Sequence, residues 1–514
     1  MSATHVRAQV APFAAVPVLG VAAAVAAVLT ALSGRYGFHR DELYFLVAGD
    51  HPAWGYVDQP PLTPLAARLS TAVFGDRPAG LRVVATLACA VTVVTVAAVA
   101  RELGGGRAAQ VLAAACTAVS GFVLAVGHLV STATFDMLAW VVVCWLLLRL
   151  LRTDDRRLWL ALGAALGFGM QNKYLIALLA LSLLVALLAT GPRQVLRGWW
   201  PLAGAAVALA VALPGLWWQA AHGWPQLTVA GGISADDGAE NRVLFVPQQI
   251  VFLSPVFVPV WIAGGLRLWR DPALRWARAF VPAYLLLAVV VVVSGGKPYY
   301  CLPLLLVLLA AGCVTSVSRP RAMWPAVALT AVISALISLP VLPPGVVGAV
   351  NGVNKEQGEQ IGWPQLADAV AEAWSDVPAA DRPRAVVFAQ NYGEAGALAH
   401  YGPARGLPAP YSAHMSFADW GPPPDSATGP VLLVRQEDSD DVERRFTGCR
   451  RVGRVDNGRD VDNEEQHAAI VLCTGPNEPW SQLWPALRHY YQAGTTRENE
   501  GAGPGEPGYG GSTR

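Results

Sequence analysis

Residues 12–32 read PFAAVPVLGVAAAVAAVLTAL, an uncharged apolar run of the length that crosses the hydrocarbon core of a bilayer as a helix. Similar runs recur along the chain as far as Pro340 and then stop. Over the whole chain, 54% of the residues are hydrophobic and 14% are charged, a balance outside that of ordinary soluble domains. The pattern therefore predicts a polytopic α-helical membrane protein.

The apolar runs predict about eleven transmembrane helices. They lie near residues 12–33, 79–100, 107–127, 134–151, 157–170, 174–190, 199–219, 247–266, 279–294, 300–317 and 323–341. The fifth run is short, so the count can shift by one. We interpret the first run as a retained helix, because it is too long for a signal-peptide core and lacks a small-residue cleavage site. A cleaved signal is the alternative.

Arginines predict the orientation, because cytoplasmic loops carry an excess of basic residues. On one side the short connections carry Arg101 and Arg107; Arg149, Arg152, Arg156 and Arg157; Arg193 and Arg197; Arg267, Arg270, Arg275 and Arg278; and Arg319 and Arg321. We expect that side to be cytoplasmic. The long polar segments 34–78 and 220–246, and everything after Pro340, are then outside the cell membrane.

The composition changes after the last apolar run, where charged residues, Asn, Gln and Pro increase. Alternating strand and helix patterns there predict a small extracytoplasmic α/β domain. Its expected elements are helices at 363–374 and 394–401 and strands at 385–390, 431–435 and 468–473. The expected division is a transmembrane domain at 1–343, the α/β domain at 344–490 and a disordered tail at 491–514.

The cysteines and the net charge bear on metal sites, disulfides and nucleic-acid binding. Five of the seven cysteines lie in apolar segments without metal-ligand spacing and are interpreted as small core residues. Cys449 and Cys473 lie in the soluble part, where a disulfide would suit an oxidising exterior, but the sequence leaves the pairing open. A net charge of +1 gives no support to nucleic acid as a partner.

Acids, a histidine and aromatic residues are concentrated in the first outer segment. Residues 38–44 read FHRDELY and residues 50–62 read DHPAWGYVDQPPL. Paired carboxylates can deprotonate a hydroxyl or hold a divalent ion, and Trp54 and Tyr56 offer faces on which a sugar ring can stack. Pro60 and Pro61 would hold Asp58 in place. The alternative is an interfacial loop with an aromatic belt and solvated charges.

Three ionisable residues stand at the outer ends of predicted helices. Asp136 opens the fourth span, where capping of the helix is the alternative role. Lys173 in QNKY and Lys297 in GGKPYY break the basic-inside pattern, and snorkelling to the interface is their alternative explanation. A cation beside Tyr299 and Tyr300 would suit a lipid-linked phosphate.

Four of these elements in order resemble the membrane glycosyltransferases of the GT-C class. They are the acidic pair Asp41-Glu42, YVDQPPL at 56–62, Asp136 and GKPYY at 296–300. The resemblance covers about residues 10–320 and is strongest to the family 39 and 83 branch, which includes protein mannosyltransferases and the lipid A aminoarabinose transferase. NYGEAG at 391–396 looks like the tail of bacterial family 39 members.

The chain also departs from this pattern. Gln59 stands where better-studied relatives have His or Lys, and Pro64 replaces a lysine often seen in the family. No phosphate contact is carried over to those two positions.

The resemblance implies a polyprenyl-phosphate-sugar-dependent hexosyl- or pentosyltransferase of the plasma membrane. It would act with inversion on an extracytoplasmic hydroxyl of a lipid, glycan or protein. Asp41 is the implied catalytic carboxylate, Glu42 and Asp136 would position the acceptor or a metal, and Lys297 with Tyr299 or Tyr300 would bind the donor phosphate. The further donor-site candidates are Asp58, Gln59, Lys173, His51, Trp54 and Tyr56. Whether Asp41 and Glu42 hold a divalent ion is left open.

Two other functions remain as alternatives. One is a transporter or flippase for a lipid-linked or amphipathic solute, which the span count alone allows. The crowding of acids on one face, the lack of internal repeats and the scarcity of charge inside the spans count against it. The other is a non-catalytic assembly or sensor protein that uses the α/β domain.

Overall fold

The computed structural model describes residues 10–437 and 440–491. The chain divides into two compact units, residues 1–363 with 457–466, and residues 364–456 with 467–514. The described helices of the first unit are Ala15–Leu32 (α1), Arg40–Asp50 (α2), Leu62–Phe74 (α3), Pro78–Leu81 (α4), Val83–Glu102 (α5), Arg107–Ala118 (α6), Gly121–His128 (α7), Thr132–Thr153 (α8), Leu158–Met170 (α9), Ile176–Thr190 (α10), Trp200–Ala221 (α11), Pro225–Asp236 (α12), Gly238–Leu253 (α13), Val258–Arg270 (α14), Phe280–Ser294 (α15), Leu302–Ser316 (α16), Pro320–Ser338 (α17) and Gly348–Asn351 (α18).

The apolar helices confirm the predicted helical membrane class. Among the described residues, six segments are long and apolar enough to cross a bilayer: α1, α4 with α5, α8, α11, α16 with the preceding 3-10 turn Pro298–Cys301, and α17. Two bent pairs reach that length only together, α6 with α7 at 63° and Gly238–Leu253 with Pro255–Arg270 at 85°. The helices α9, α10 and α15 are apolar but shorter. Each predicted span falls on one of these segments, and the number of crossings stays a prediction.

The two long polar segments are more helical than the sequence suggested. Segment 34–78 contains α2 and α3, and segment 220–246 contains α12 and the start of α13. The helix α3 carries Leu65, Leu69 and Val73 on an exposed apolar stripe, each about 60% accessible. These three side chains repeat at helical spacing, so the segment has the pattern of a helix that lies at the membrane surface.

The core of the first unit is built around α16. Every residue from Leu302 to Cys313 is buried, as expected of a helix that is apolar on all faces. Two glycines allow α14 to approach it closely. A Cβ added at Gly264 would lie 1.8 Å from the backbone oxygen of Leu308, and one at Gly312 would lie 1.8 Å from that of Val260. Close backbone packing through small residues is typical of membrane helices.

The second unit contains a small mixed sheet. The helices that belong to it or lead into it are Trp363–Ser375 (α19), Tyr392–Tyr401 (α20) and Trp480–Leu487 (α21), and the strands are Val386–Ala389 (β1), Val431–Arg435 (β2), Phe446–Thr447 (β3), Arg450–Arg454 (β4), Ala469–Cys473 (β5) and Gly475–Pro476 (β6). The main sheet has the order β1-β2-β5-β4, in which β1 and β2 are parallel and the other pairs are antiparallel. Apolar side chains of β1, β2 and β5 pack with Trp480 and Trp484 of α21.

All five predicted elements of this unit are present within two residues of their expected bounds. Cys449 and Cys473 form a disulfide, which settles the pairing that the sequence left open. Segment 344–363 groups with the first unit, where Val347, Ile361 and Val461 form a small cluster. The predicted disorder of the tail lies outside the described residues from 492 onward.

Cysteine labelling tests the orientation. Asp50→Cys and Ser426→Cys, both at exposed positions, should react with a membrane-impermeant maleimide on intact cells. Arg157→Cys, exposed between α8 and α9, should react only after permeabilisation. The background should be low because the five unpaired native cysteines are buried. Labelling of Arg157→Cys on intact cells, with protection of the other two, would reverse the orientation.

Candidate active site

The start of α2 places the acidic pair of the first outer segment. His39 is the N-cap residue: its Nδ1 accepts a hydrogen bond from the backbone N–H of Asp41 at 3.2 Å, and its own N–H donates to Glu42 at 2.8 Å. This reciprocal capping satisfies two amide donors at the helix start. Asp41 therefore lies in the first turn of a helix, with a side chain that is 36% exposed.

Glu42 is buried and saturated with donors. Arg82, at the start of α5, donates to both of its oxygens through Nε at 2.9 Å and Nη2 at 2.7 Å, and both side chains are fully inaccessible. The backbone N–H of Val130 adds a third contact at 3.0 Å. These contacts, with the N–H of His39, leave Glu42 as an anchor for α2 and do not suit it to bind a divalent cation.

The same arginine joins further parts of the chain. Its Nη1 donates to the backbone oxygen of Ser33 at 2.6 Å and lies 3.2 Å from Nε2 of His128, and its Nη2 donates to the oxygen of Gly37 at 2.6 Å and to Gln360 at 3.2 Å. Our sequence reasoning missed Arg82, His128 and Gln360. Arg82 carried a signal, because it lies on the predicted outer side and breaks the basic-inside pattern as the two lysines do.

Asp58 lies in the same electrostatic environment as Asp41. Its carboxylate accepts a hydrogen bond from the hydroxyl of Tyr44 at 2.7 Å. Burial raises the pKa of Asp58 to about 6, although the Tyr44 hydrogen bond lowers it; the charge of Asp41 adds to the rise and that of Lys173 opposes it. This raised pKa brings the carboxyl group of Asp58 closer to the range suited to proton transfer.

Lys173 connects these acids to two tyrosines. Its ammonium donates to the hydroxyl of Tyr299 at 3.4 Å and lies 4.8 Å from the ring centre of Tyr300. It also interacts electrostatically with Asp136, whose carboxylate accepts the indole N–H of Trp140 at 2.8 Å. The structure therefore brings together residues from five separate segments of sequence: Asp41, Asp58, Asp136, Lys173, Tyr299 and Tyr300. We call these six residues the polar cluster.

Lys297 lies apart from that arrangement. Its ammonium is 3.2 Å from the carboxylate of Asp237, and its side chain is 40% exposed. Its charge also acts on Glu356, which forms an ion pair with His39 at 2.8 Å. Burial alone would lower the pKa of His39, but the hydrogen bond and charge of Glu356 outweigh it and raise the pKa to about 9. A second ion pair, between Arg40 and Glu464, ties segment 457–466 to the start of α2.

The remaining candidates differ in exposure. Tyr56 is buried, and its hydroxyl donates to the backbone oxygens of Ala48 and His51. It therefore stabilises the C-terminal end of α2. The ring of Trp54 is 59% exposed and His51 is also exposed. Gln59 is completely buried, and its side-chain amide has no hydrogen-bond partner within the described chain. Across residues 10–437 and 440–491, no group of three or more His, Cys, Asp or Glu side chains is arranged to hold a metal ion.

Residues 58–218 match the family described as dolichyl-phosphate-mannose-protein mannosyltransferase. No curated protein matches the chain in sequence. Among solved structures, ArnT from Cupriavidus metallidurans bound to undecaprenyl phosphate is similar at a TM-score of 0.57 and 16% identity, covering 89% of this chain and 98% of that one. The apo form of ArnT from the same organism is similar at a TM-score of 0.53 and 14% identity, covering 88% of this chain and 97% of that one. The arabinofuranosyltransferase AftD from Mycobacteria has a TM-score of 0.48 and 14% identity, and the match covers 90% of this chain and 40% of AftD.

At these identities the likeness to ArnT establishes the fold. The chain has the GT-C fold, and the resemblance predicted from its motifs is confirmed. The fold match spans nearly all of ArnT, whereas the family match covers the region from Asp58 to Trp218.

The buried pair should matter more to stability than an exposed pair in the same segment. Arg82→Met leaves a buried carboxylate without its cation, which costs about 3–5 kcal/mol, so the melting temperature in detergent should fall strongly. Arg68→Met removes the partner of Asp50 from a 3.0 Å pair that is more than half exposed, and should cost at most about 1 kcal/mol. Equal melting temperatures for the two variants would contradict the anchoring role of Arg82.

Proposed function

We propose that this chain, with its GT-C fold, transfers a sugar from a polyprenyl-phosphate donor to a hydroxyl acceptor at the outer face of the plasma membrane. The observation that carries the proposal is the polar cluster, which combines carboxylates with a lysine and two tyrosines. A base for the acceptor and a cation for the leaving phosphate are the two groups that this reaction needs. The undecaprenyl phosphate bound to the structurally similar ArnT supports the donor class.

Asp41 is the proposed general base. It takes the proton of the acceptor hydroxyl as that oxygen forms a bond to the anomeric carbon of the sugar. The bond from this carbon to the phosphate oxygen breaks on the opposite side, so the configuration inverts and the lipid phosphate leaves with the electron pair. Asp58, coupled to Asp41 by charge, and Asp136 position the acceptor and the sugar. Glu42 and Arg82 hold the helix that carries Asp41.

Lys173 is the proposed main contact of the donor phosphate. Its charge is held between Tyr299 and Tyr300, whose hydroxyls can donate to phosphate oxygens as negative charge develops on them. Lys297 is the second basic candidate and meets the phosphate at the more exposed side, where it already pairs with Asp237. Trp54 is exposed and is suited to stack on a sugar, whereas Gln59 is completely buried and is assigned no contact with the donor.

The second unit is proposed to face the same compartment as the polar cluster. Segments 344–363 and 457–466 belong to the first unit and contact the start of α2 through Glu356 and Glu464. These segments directly precede and interrupt the second unit in sequence. The Cys449–Cys473 disulfide is also suited to the oxidising exterior.

Transfer and transport can be separated in one preparation. Purified protein in detergent is incubated with a radiolabelled polyprenyl-phosphate sugar and a panel of lipid, glycan and peptide acceptors, and sugar flux is measured in proteoliposomes. Transfer in detergent, where no compartments exist, supports the glycosyltransferase. Flux without transfer would support a transporter or flippase and overturn the proposal.

Asp41→Asn should keep the fold and donor binding while losing transfer by about 10²-fold or more, because the amide has the size of the acid without its basicity. Asp50→Asn is a matched control, since Asp50 lies at the other end of α2 and is exposed. Turnover is measured with donor binding and the melting temperature. Normal turnover in Asp41→Asn would remove Asp41 as the base.

The two lysines should differ in their effect on donor use. Lys173→Met should lower kcat/KM for the donor by about 10²-fold, since a partly buried cation facing developing charge is removed. Lys297→Met should lower it by about tenfold or less, because this lysine is partly exposed and already paired. Initial rates at varied donor concentration distinguish the two. A larger loss of kcat/KM in Lys297→Met than in Lys173→Met would make Lys297 the main contact of the donor phosphate.

A further inference from the structure

A cavity lies at the arginine-bearing ends of α5 and α8, the opposite end of α8 from Asp136 of the polar cluster. Its volume is about 260 Å³, and its walls include Phe13, which precedes α1, together with Val94, Ala98 and Arg101 of α5 and Trp145 and Arg149 of α8. Trp145 and Arg149 are four residues apart, so they share one face of their helix. These ends carry the arginines that the sequence assigns to the cytoplasmic side.

The charges around this cavity do not balance. Glu102 is buried and is paired with Arg101 at 3.3 Å and with Arg152 at 2.5 Å, so its charge is already matched. Arg149 has no carboxylate partner within the described chain, and its guanidinium lies 5.8 Å from the ring centre of Trp145. Three arginines thus surround one acid, which leaves an excess of positive charge beside apolar walls.

The wall also contains a donor without an acceptor. The indole N–H of Trp145 is buried and has no hydrogen-bond partner among the described residues. Buried polar groups are normally paired, and a donor left without a partner costs free energy. The guanidinium of Arg149 matches phosphate oxygens and can bind two of them at once.

We propose that this cavity binds the headgroup of an anionic phospholipid from the cytoplasmic leaflet. The phosphate meets Arg149, and the first part of an acyl chain lies against Phe13, Val94 and Ala98. A lipid fits better than a free anion because the walls are mainly apolar and the neighbouring surface is exposed and apolar, as at Val16 and Val91. Basic pockets between membrane helices on the cytoplasmic side suit such headgroups. This site goes beyond the proposed transfer reaction.

Binding can be measured on the purified full chain by native mass spectrometry after delipidation. Phosphatidylglycerol and phosphatidylcholine with the same acyl chains are added at equal concentration. Wild-type protein should retain phosphatidylglycerol with about tenfold preference, the size expected for a hydrogen-bonded charge contact. Equal retention of the two lipids would overturn the proposal. Inorganic phosphate should not displace the lipid, and displacement at similar concentration would assign the cavity to a soluble anion.

Two variants and one control locate the site. Arg149→Met should remove most of the preference for phosphatidylglycerol, whereas Arg157→Met, an exposed arginine just beyond α8, should keep it. Ala98→Phe fills the cavity while leaving every charge, and should reduce retention of the lipid by about tenfold through steric exclusion. The melting temperature of each variant confirms that it is folded. An unchanged preference in Arg149→Met and Ala98→Phe, or an equal loss in Arg157→Met, would place the lipid elsewhere.

Discussion

The buried ion pair between Glu42 and Arg82 is the interaction on which the outer end of the first unit depends. Neither side chain is accessible, so each charge must be neutralised within the protein. Arg82 meets this requirement through Glu42 and through the backbone oxygens of Ser33 and Gly37. Ser33 follows α1, Gly37 lies in the turn before α2, and Arg82 directly precedes α5, so the pair fixes where α2 starts. The position of Asp41 follows from it.

Gly37 shows how tightly this turn is built. Its φ is +137°, a value that side-chain-bearing residues rarely adopt, and a Cβ there would lie 2.8 Å from the backbone oxygen of Gln360. The close approach lets Gln360 reach Arg82 and lets Glu356 reach His39. Asp41, the proposed base, lies on a helix held in this way and has little freedom to move, as a general base requires.

The sequence predicted the apolar helices well because length and hydrophobicity alone determine whether a helix can cross a bilayer. It predicted α2, α3 and α12 poorly, since short helices at the interface depend on capping and tertiary packing that polar composition conceals. Among the site residues, the motifs indicated Asp41, Asp136 and both lysines. They did not distinguish Lys173 from Lys297, because that difference lies in contacts with Tyr299, Tyr300 and Asp237. In the second unit β4 was missed, since RRVGR carries little apolar content for an edge strand.

Three basic residues of this chain illustrate how the partners of a cationic side chain indicate its role. The guanidinium of Arg82 donates its hydrogen bonds to acceptors of its own chain. It therefore has no donor left for a ligand, and its role is structural. Lys173 contacts Tyr299 and Tyr300 and interacts electrostatically with Asp58 and Asp136, and this setting supports its proposed role as the contact of the donor phosphate. Arg149 faces the ring of Trp145 and a cavity, and it forms no ion pair within the described chain. Because an unbalanced charge next to apolar walls is costly, the balance is best restored by an anion that also brings apolar surface.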